Sequence, residues 1–368
     1  MRLINRLGAL TLSVTIVAAA CTSSGTSPTT GTQPASSTTL GEAATPPPDT
    51  TSTTQTPTTA TEPPAETTDT APLFEYAVVA EERARRLAII DPAGPCLTDG
   101  NTCGLAPIST FELPERPHNL TGVGSVVYAT HPAAGSISRV DIATGDILTA
   151  AVGIEPHDIK YAPWADALYV ADETGRRLLT VDSETLDVID AVDLPAEPHD
   201  LAVAEDAIWV TLIGRNELAR VSGNEVDLFP TGGSPHDLIV DPNGLIWFSN
   251  WGSRVLNIFD PATGTTAEAP VGVTEPHHFA IAPDGAVWLS DNGGAAIVGF
   301  TAQPVTVDVG PTPHHLGFVG DTIVVAVSGT GEAVLIRDGQ VVATSQLTPG
   351  LHGIAAVGLA QPLTVAAR

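Results

Sequence analysis

Seven histidines recur at one position of a repeating pattern, each opening a short apolar run. They stand in RPHNL (His118), EPHDI (His157), EPHDL (His199), SPHDL (His236), EPHHF (His277), TPHHL (His314) and GLHGI (His352). Successive histidines lie 39, 42, 37, 41, 37 and 38 residues apart. A period near 40 that holds several strands describes a small sheet that cannot bury its faces alone and must stack on its neighbours. Stacked in a circle, seven such sheets make an all-β, seven-bladed propeller of four-stranded blades. A residue fixed at one repeat position then becomes a ring about the axis, so the spacing predicts a ring of imidazoles.

The stretch PHDLAVAEDAIWVTLIGRNELARVSGNEVDLFPTGG shows one blade, with strands predicted at 199–203, 207–212, 217–221 and 225–229. Alternating apolar residues and β-branched enrichment fit strands, and turn signals such as DPNG (241–244), DPATG (260–264) and APDG (282–285) separate them. No stretch keeps a helical period. The two ends explain closure. Residues 76–91 align with 169–182 and supply later strands of a blade that lacks its inner strand, while 352–357 supply that strand from the C-terminus. Closure of this kind removes free sheet edges.

The loop before each inner strand and the loop after each second strand open on the same face. The second strands end at Glu81, His131, Asp172, Leu212, Asn250, Asp291 and Ser328, a wider ring on the face that carries the histidines. His278 and His315 adjoin the inner ring, which brings all ten histidines to one face. His131, Asp172, Asn250, Trp251, Asp291 and Asn292 are the candidate substrate-facing residues, with Trp251 as a stacking wall. Trp209, Trp247 and Trp288 recur inside second strands and fit blade packing. Arg176, Arg215 and Arg254 could hold a substrate carboxylate or form surface ion pairs.

Neutral imidazole is a good ligand for zinc, copper, iron or nickel, and three or four converging rings suffice for one ion. His118, His157, His199, His236, His277, His314 and His352 are therefore candidate metal ligands, together with Glu275. Glu155, Glu197 and Glu275 precede Pro-His pairs, and Asp158, Asp200 and Asp237 follow theirs. These carboxylates could bind magnesium or calcium, or orient imidazoles from behind. The plainer alternative is that each repeated His only hydrogen-bonds the next blade. Against it, seven rings crowd one volume, where protonation without compensation is costly.

Arg2 and Arg6 followed by the apolar run Leu7–Ala20 form an export-type segment over 1–20, and Ala18-Ala19-Ala20-Cys21 resembles a bacterial lipoprotein signal in which Cys21 is lipidated. An ordinary cleaved signal and a lone membrane anchor are the alternatives, although the stretch is short for a spanning helix. Residues 21–72 are a Ser/Thr/Pro-rich tether with no material for a core, spanning roughly 40 Å as a coil. The propeller occupies 73–368. Cys96 and Cys103 sit in one loop, and export favours a local disulfide over a metal pair. Net charge is −27, with Lys160 the only lysine. That balance argues against nucleic acid and favours cations or small neutral and cationic molecules. The expectation is a monomer on the outer face of the cell membrane, touching the membrane only through its anchor, with a small-molecule or peptide-like ligand.

The blade pattern, as in 167–203, resembles YVTN-type surface propellers. Residues 235–300 resemble two blades of the streptogramin B lyase (virginiamycin B lyase) family, seven-bladed propellers that open a cyclic depsipeptide by magnesium-dependent elimination at its ester. That resemblance implies catalytic roles for His236, Glu275 and His277, with Glu275 helping to hold the metal and His277 acting as general acid or base. The family places a further glutamate where this chain has Asn292, beside Asp291, and its WFTE is WFSN at 247–250 and WLSD at 288–291. Glu155-Pro-His157 and Glu197-Pro-His199 offer the same motif in other blades. Peptidyl amidoglycolate lyases, six-bladed relatives, use similar Pro-His residues to bind zinc. Two main readings remain open: a metal-dependent carbon–oxygen lyase, and a non-catalytic propeller that holds a metal (magnesium, zinc or copper) or another ligand; a third, a protein-interaction scaffold, leaves the histidine ring without a role.

Overall fold

Alternating apolar residues sort to the two faces of each strand, so every blade presents two greasy faces, and only neighbours can cover them. In the computed structural model, which describes residues 73–97, 102–251, 253–269 and 272–363, seven buried clusters do this. Each cluster draws on two adjacent blades, and the seven together close a circle. The expected signal segment over 1–20, the expected tether over 21–72 and Cys21 lie outside the described residues. Among the described residues no helix is long and apolar enough to cross a membrane.

The blades run in chain order. Blade 1 pairs Leu351–Leu359, Phe74–Glu81, Arg86–Ile90 and Ser109–Glu112, innermost first. Blades 2 to 7 span 120–151, 156–193, 198–230, 235–268, 276–308 and 313–346. In blade 4 the strands are Pro198–Val203, Ile208–Leu212, Glu217–Ser222 and Glu225–Pro230, each within a residue of the predicted bounds. The chain ends meet as expected: Phe74–Glu81 pairs antiparallel with Leu351–Leu359, with Val79 opposite Ile354. The Cys96–Cys103 disulfide is formed. Its loop does more than the sequence suggests, because Cys103–Leu105 adds a parallel fifth strand to the outer edge of blade 7, Ala343 opposite Cys103. A blade 1 connection thereby covers an edge that would otherwise be open.

One backbone irregularity positions the histidines. In blade 4, Pro198 pairs with Leu212 and Leu201 with Val210, so His199 and Asp200 together face only Thr211. Such a bulge, two residues against one, re-aims side chains that would otherwise alternate. The same shift puts His157–Asp158, His236–Asp237, His277–His278, His314–His315 and His352–Gly353 in bulges. His118 lies just before its strand, Leu120–Val123. Hydroxyls fasten several bulges to the next blade. Thr211 accepts the Asp200 N–H at 2.9 Å and donates to the His236 carbonyl at 2.7 Å, and Thr130 and Ser290 do the same for His157 and His314.

Candidate functional site

The bulges deliver a closed ring of imidazoles. Ring centroids of neighbours lie 4.7 Å apart for His118–His157, 3.9 Å for His157–His199, 4.0 Å for His199–His236 and 5.3 Å for His236–His277. The circle continues at 4.2 Å for His277–His314, 4.2 Å for His314–His352 and 3.6 Å for His352–His118. The residue after each ring histidine forms a second layer. There His278 stacks on His315 at 3.9 Å, and Asp237 lies 2.9 Å from His236 Nδ1 and 3.4 Å from His277 Nδ1. Lys160 reaches both oxygens of Asp158 at 2.6 and 2.7 Å and Asp200 at 3.6 Å.

Burial favours the neutral form in five of the seven ring histidines, His118, His157, His277, His314 and His352. Burial and the adjacent rings push His118 down to about 3, and burial with His199 pushes His157 to about 4. Burial brings His278 to about 4 despite Asp237, and lowers His277, His314, His315 and His352. Below the ring, burial would raise Asp158, but Lys160 outweighs it and holds the carboxyl near 2. Burial and the Asp158 charge raise Asp200, and the two carboxylates raise Lys160 against its own burial. Neutral rings are the form that binds metal.

Among the described residues, three groups bring metal-capable atoms within 4.8 Å of one another: His157–Glu173–His199, His236–Asp237–His277 and His314–His315–His352. Hydrogen bonds fix two tautomers in the first. His157 Nδ1 lies 3.0 Å from the His199 carbonyl, which can only accept, so Nδ1 carries the proton and Nε2 keeps its lone pair. His199 Nδ1 lies 2.8 Å from a Glu173 carboxylate oxygen, which leaves its Nε2 lone pair free by the same logic. His118 Nε2 lies 3.1 Å from His157 Nε2 and donates to it.

Access separates the groups. An open cavity of about 530 Å³ lies over His118, His157 and His199. Its walls include Glu82, Glu155 and Glu173, and also Arg85 and Arg116. In contrast, Trp251 lies flat on His236, with ring centroids 3.7 Å apart and 15° between planes. His277, beside them, is 3% exposed. The resemblance to streptogramin B lyases implies a catalytic trio of His236, Glu275 and His277. The structure brings the two histidines together with Asp237 as the shared carboxylate, and Glu275 is outside that group.

The second-strand ends are largely buried fastenings. Asp172 accepts the backbone N–H groups of Ile154 and Glu155 at 2.8 Å each, and Asp291 does the same for Thr274 and Glu275 at 2.9 and 2.7 Å. Asn250 donates to Asn257 at 2.7 Å. His131 lines the cavity, but Nδ1 donates to the Arg116 carbonyl at 2.9 Å and Nε2 meets Ser138 at 2.7 Å. Arg176 pairs with Glu197 and Arg215 with Glu217, as surface ion pairs. Trp209 and Trp288 are buried between blades 4 and 5 and blades 6 and 7, and Trp247 packs between blades 5 and 6 against Phe300 and donates to Asp241 at 3.0 Å.

Glu173 is the residue that the sequence reading passes over. Its N–H bonds the Glu155 carbonyl at 2.9 Å, and the Asn292 N–H bonds the Glu275 carbonyl at the same 2.9 Å. Glu173 in blade 3 and Asn292 in blade 6 are thus the same blade position. The glutamate missing after Asp291 stands after Asp172. Comparing each residue that follows a second strand, blade against blade, finds it.

No family model matches the sequence, and no curated protein sequence matches it. Solved structures do match. A streptogramin B lyase is 17% identical with a TM-score of 0.58, covering 65% of this chain and 86% of that one. A catalytically inactive histidine-to-alanine variant of virginiamycin B lyase from Staphylococcus aureus, with quinupristin, is 18% identical with a TM-score of 0.56, covering 70% and 93%. Apo AztD from Citrobacter koseri is 12% identical with a TM-score of 0.60, covering 78% and 98%. At these identities the likeness establishes the fold.

Proposed function

We propose that this protein is an exported, lipid-anchored, divalent-metal-dependent lyase whose working centre sits on blades 2 to 4, over His118, His157, Glu173 and His199. One observation carries the placement. Glu173, at the blade position where the streptogramin B lyase pattern carries its further glutamate, bonds a ring histidine at the floor of the open cavity. In that register Glu155-Pro-His157 stands for Glu275-Pro-His277, and His118 stands for His236.

The donor set fits a divalent ion. His199 Nε2 offers a lone pair freed by its fixed tautomer, His157 Nε2 offers one that an ion would take over from the His118 donor, and the Glu173 carboxylate stands beside them, a mixture that suits magnesium less well than zinc. His157 and His199 would hold the ion, with Glu173 orienting His199 from behind, and the ion when bound would supply Lewis acidity to an ester carbonyl. Other residues do the rest. His118 lines the cavity and would be the group to accept a proton from carbon, with the Glu82 carboxylate 3.9 Å from its Nδ1 to balance the charge it gains. As that proton leaves, its bonding pair forms a carbon–carbon double bond to the neighbouring carbon, whose bond to the ester oxygen breaks, and that oxygen departs with its electron pair as a carboxylate. Arg85 and Arg116 line the same cavity and offer that anion a counter-charge. The substrate class is a small peptide-like ester, the class suggested by the quinupristin held by a structural neighbour.

The test is turnover of a cyclic depsipeptide by the purified protein with magnesium, manganese or zinc, followed by mass spectrometry. Elimination opens the ring without a change of mass, whereas hydrolysis adds a water. Activity lost in Glu173→Gln but kept in His277→Ala supports the placement. The reverse pattern returns the centre to blades 5 and 6. Stoichiometric metal without turnover of any ester makes the chain a metal-holding propeller instead.

A further inference from the structure

Blade 7 and the C-terminal strand meet at a second cluster whose chemistry differs from the centre just described. His314 and His315 occupy the bulge of Pro313–Val319, and His352 occupies the matching bulge of Leu351–Leu359. One ligand atom from each lies within 4.8 Å of the other two. Their ring centroids are 4.2, 4.4 and 4.8 Å apart. His314 Nδ1 and His315 Nδ1 face each other at 2.7 Å, so one ring spends its proton on its neighbour. His352 Nδ1 is buried with no hydrogen-bond partner, and so is Nδ1 of the adjoining His278. A buried polar nitrogen without a partner asks for one. Among the described residues no carboxylate pairs with any of these three rings, unlike His199 and His236.

We propose that His314, His315 and His352 form a second metal site, all imidazole, that takes a late first-row transition ion, copper(II) ahead of zinc, and does not take magnesium. Nitrogen donors without oxygen rank divalent ions in that order, and magnesium requires oxygen. The placement gives the ion a mechanical role. His314 and His315 belong to blade 7, whereas His352 belongs to the last strand of the chain, which blade 1 needs for closure. An ion shared by the three ties the C-terminal strand to its neighbour at the seam of the propeller. Because it binds only the closed ring, it stabilises the folded state by an amount that grows with the logarithm of its concentration above Kd. This site shares no residue with the blade 2 to 4 centre, and the two meet only where His352 stacks on His118, ring centroids 3.6 Å apart.

The experiment is copper(II) titration of the purified metal-free protein, labelled with ¹⁵N-histidine and read by electron paramagnetic resonance and thermal unfolding. Wild type and Glu173→Gln are both expected to give a nitrogen-rich signal that changes with the label, and a melting temperature that rises with copper. Adding His315→Ala to Glu173→Gln is expected to weaken that copper at least tenfold and to remove the rise. If His315→Ala disturbs packing, His352→Gln tests the same site from the other strand, and the wild-type spectrum tests it without any substitution. An oxygen-dominated spectrum, or a nitrogen-rich signal lost in Glu173→Gln alone, overturns the proposal. So does full displacement of the copper by millimolar magnesium.

Discussion

Glu173 takes the Nδ1–H of His199 at 2.8 Å, and this bond turns the ring so that its other nitrogen is free. An orienting carboxylate of this kind changes metal affinity about 10- to 100-fold in metal–histidine sites. Glu173→Gln keeps the size and can still meet the ring, but it loses the charge. The expected result is a 10- to 100-fold weaker metal by calorimetric titration, with unfolding free energy changed by less than about 1 kcal/mol because the side chain stands at the cavity rim. Unchanged affinity would remove Glu173 from the centre. Asn292→Glu, at the matching position of blade 6, is expected to restore nothing, since Trp251 and the buried His277 close that sector.

Much of this architecture is legible in the sequence because a closed ring repeats itself. The period near 40, the Pro-His openings and the homology of 76–91 with 169–182 lead to seven blades and the shared closing blade, which the pairing of Phe74–Glu81 with Leu351–Leu359 reproduces. Which sector is open is not legible. Trp251 and Glu173 follow their second strands at the same position, yet one lies flat on His236 and the other reaches to His199. Sequence period assigns a position, and side-chain direction is set by what the neighbouring blade offers. The parallel strand Cys103–Leu105 was hidden for a related reason, because its partner Gln340–Gln346 lies more than two hundred residues away.

The neutral rings make stability depend on acid. His118, His157 and His278 titrate near 3, 4 and 4 in the fold, against 6.5 for a free histidine. The unfolded chain therefore takes up protons below pH 6.5 that the native chain refuses. The stability these groups contribute is whole above pH 6.5 and is lost as pH falls towards their folded values. Three protons correspond to about 4 kcal/mol per pH unit near pH 5. His277, His314, His315 and His352 act in the same direction, while Asp200, raised by burial and by Asp158, partly offsets them. Denaturant titrations of the metal-free protein are expected to show a steep fall in midpoint between pH 6 and 4. Bound metal should shift that fall to lower pH. A flat midpoint from pH 7 to 5 would mean that the rings are solvated and not buried.

Trp251 is 46% exposed, yet its inner face covers His236. Trp251→Ala removes that cover and leaves the backbone bond from Trp251 N–H to the Ser234 carbonyl available. The expected outcome is faster chemical modification of His236 by an acylating reagent, read by peptide mass spectrometry. Modification at His199 and metal binding at Glu173 should not change. Equal rates at His236 in both proteins would show that Trp251 does not seal this sector.

Gly353 tests how tightly the seam is built. It shares a bulge with His352, and a Cβ added there would lie 2.7 Å from the His118 carbonyl oxygen and 2.8 Å from the Leu120 nitrogen. Both are backbone atoms of blade 2, and the Gly353 N–H already donates to that same carbonyl at 2.9 Å. A methyl group cannot be absorbed by rotating a side chain, so the C-terminal strand must retreat from blade 2. Overpacking of this kind costs about 1–3 kcal/mol. Gly353→Ala is expected to lower the unfolding free energy by that amount. It should also loosen the His118–His352 stack, which now has its ring centroids 3.6 Å apart. Hydrogen exchange locates the effect: protection should fall in 74–81 and 351–359 while blades 4 and 5 keep theirs, because each blade touches only its neighbours. Loss spread evenly over all seven blades would instead mean that the ring opens as one unit and that the seam is no weaker than the rest.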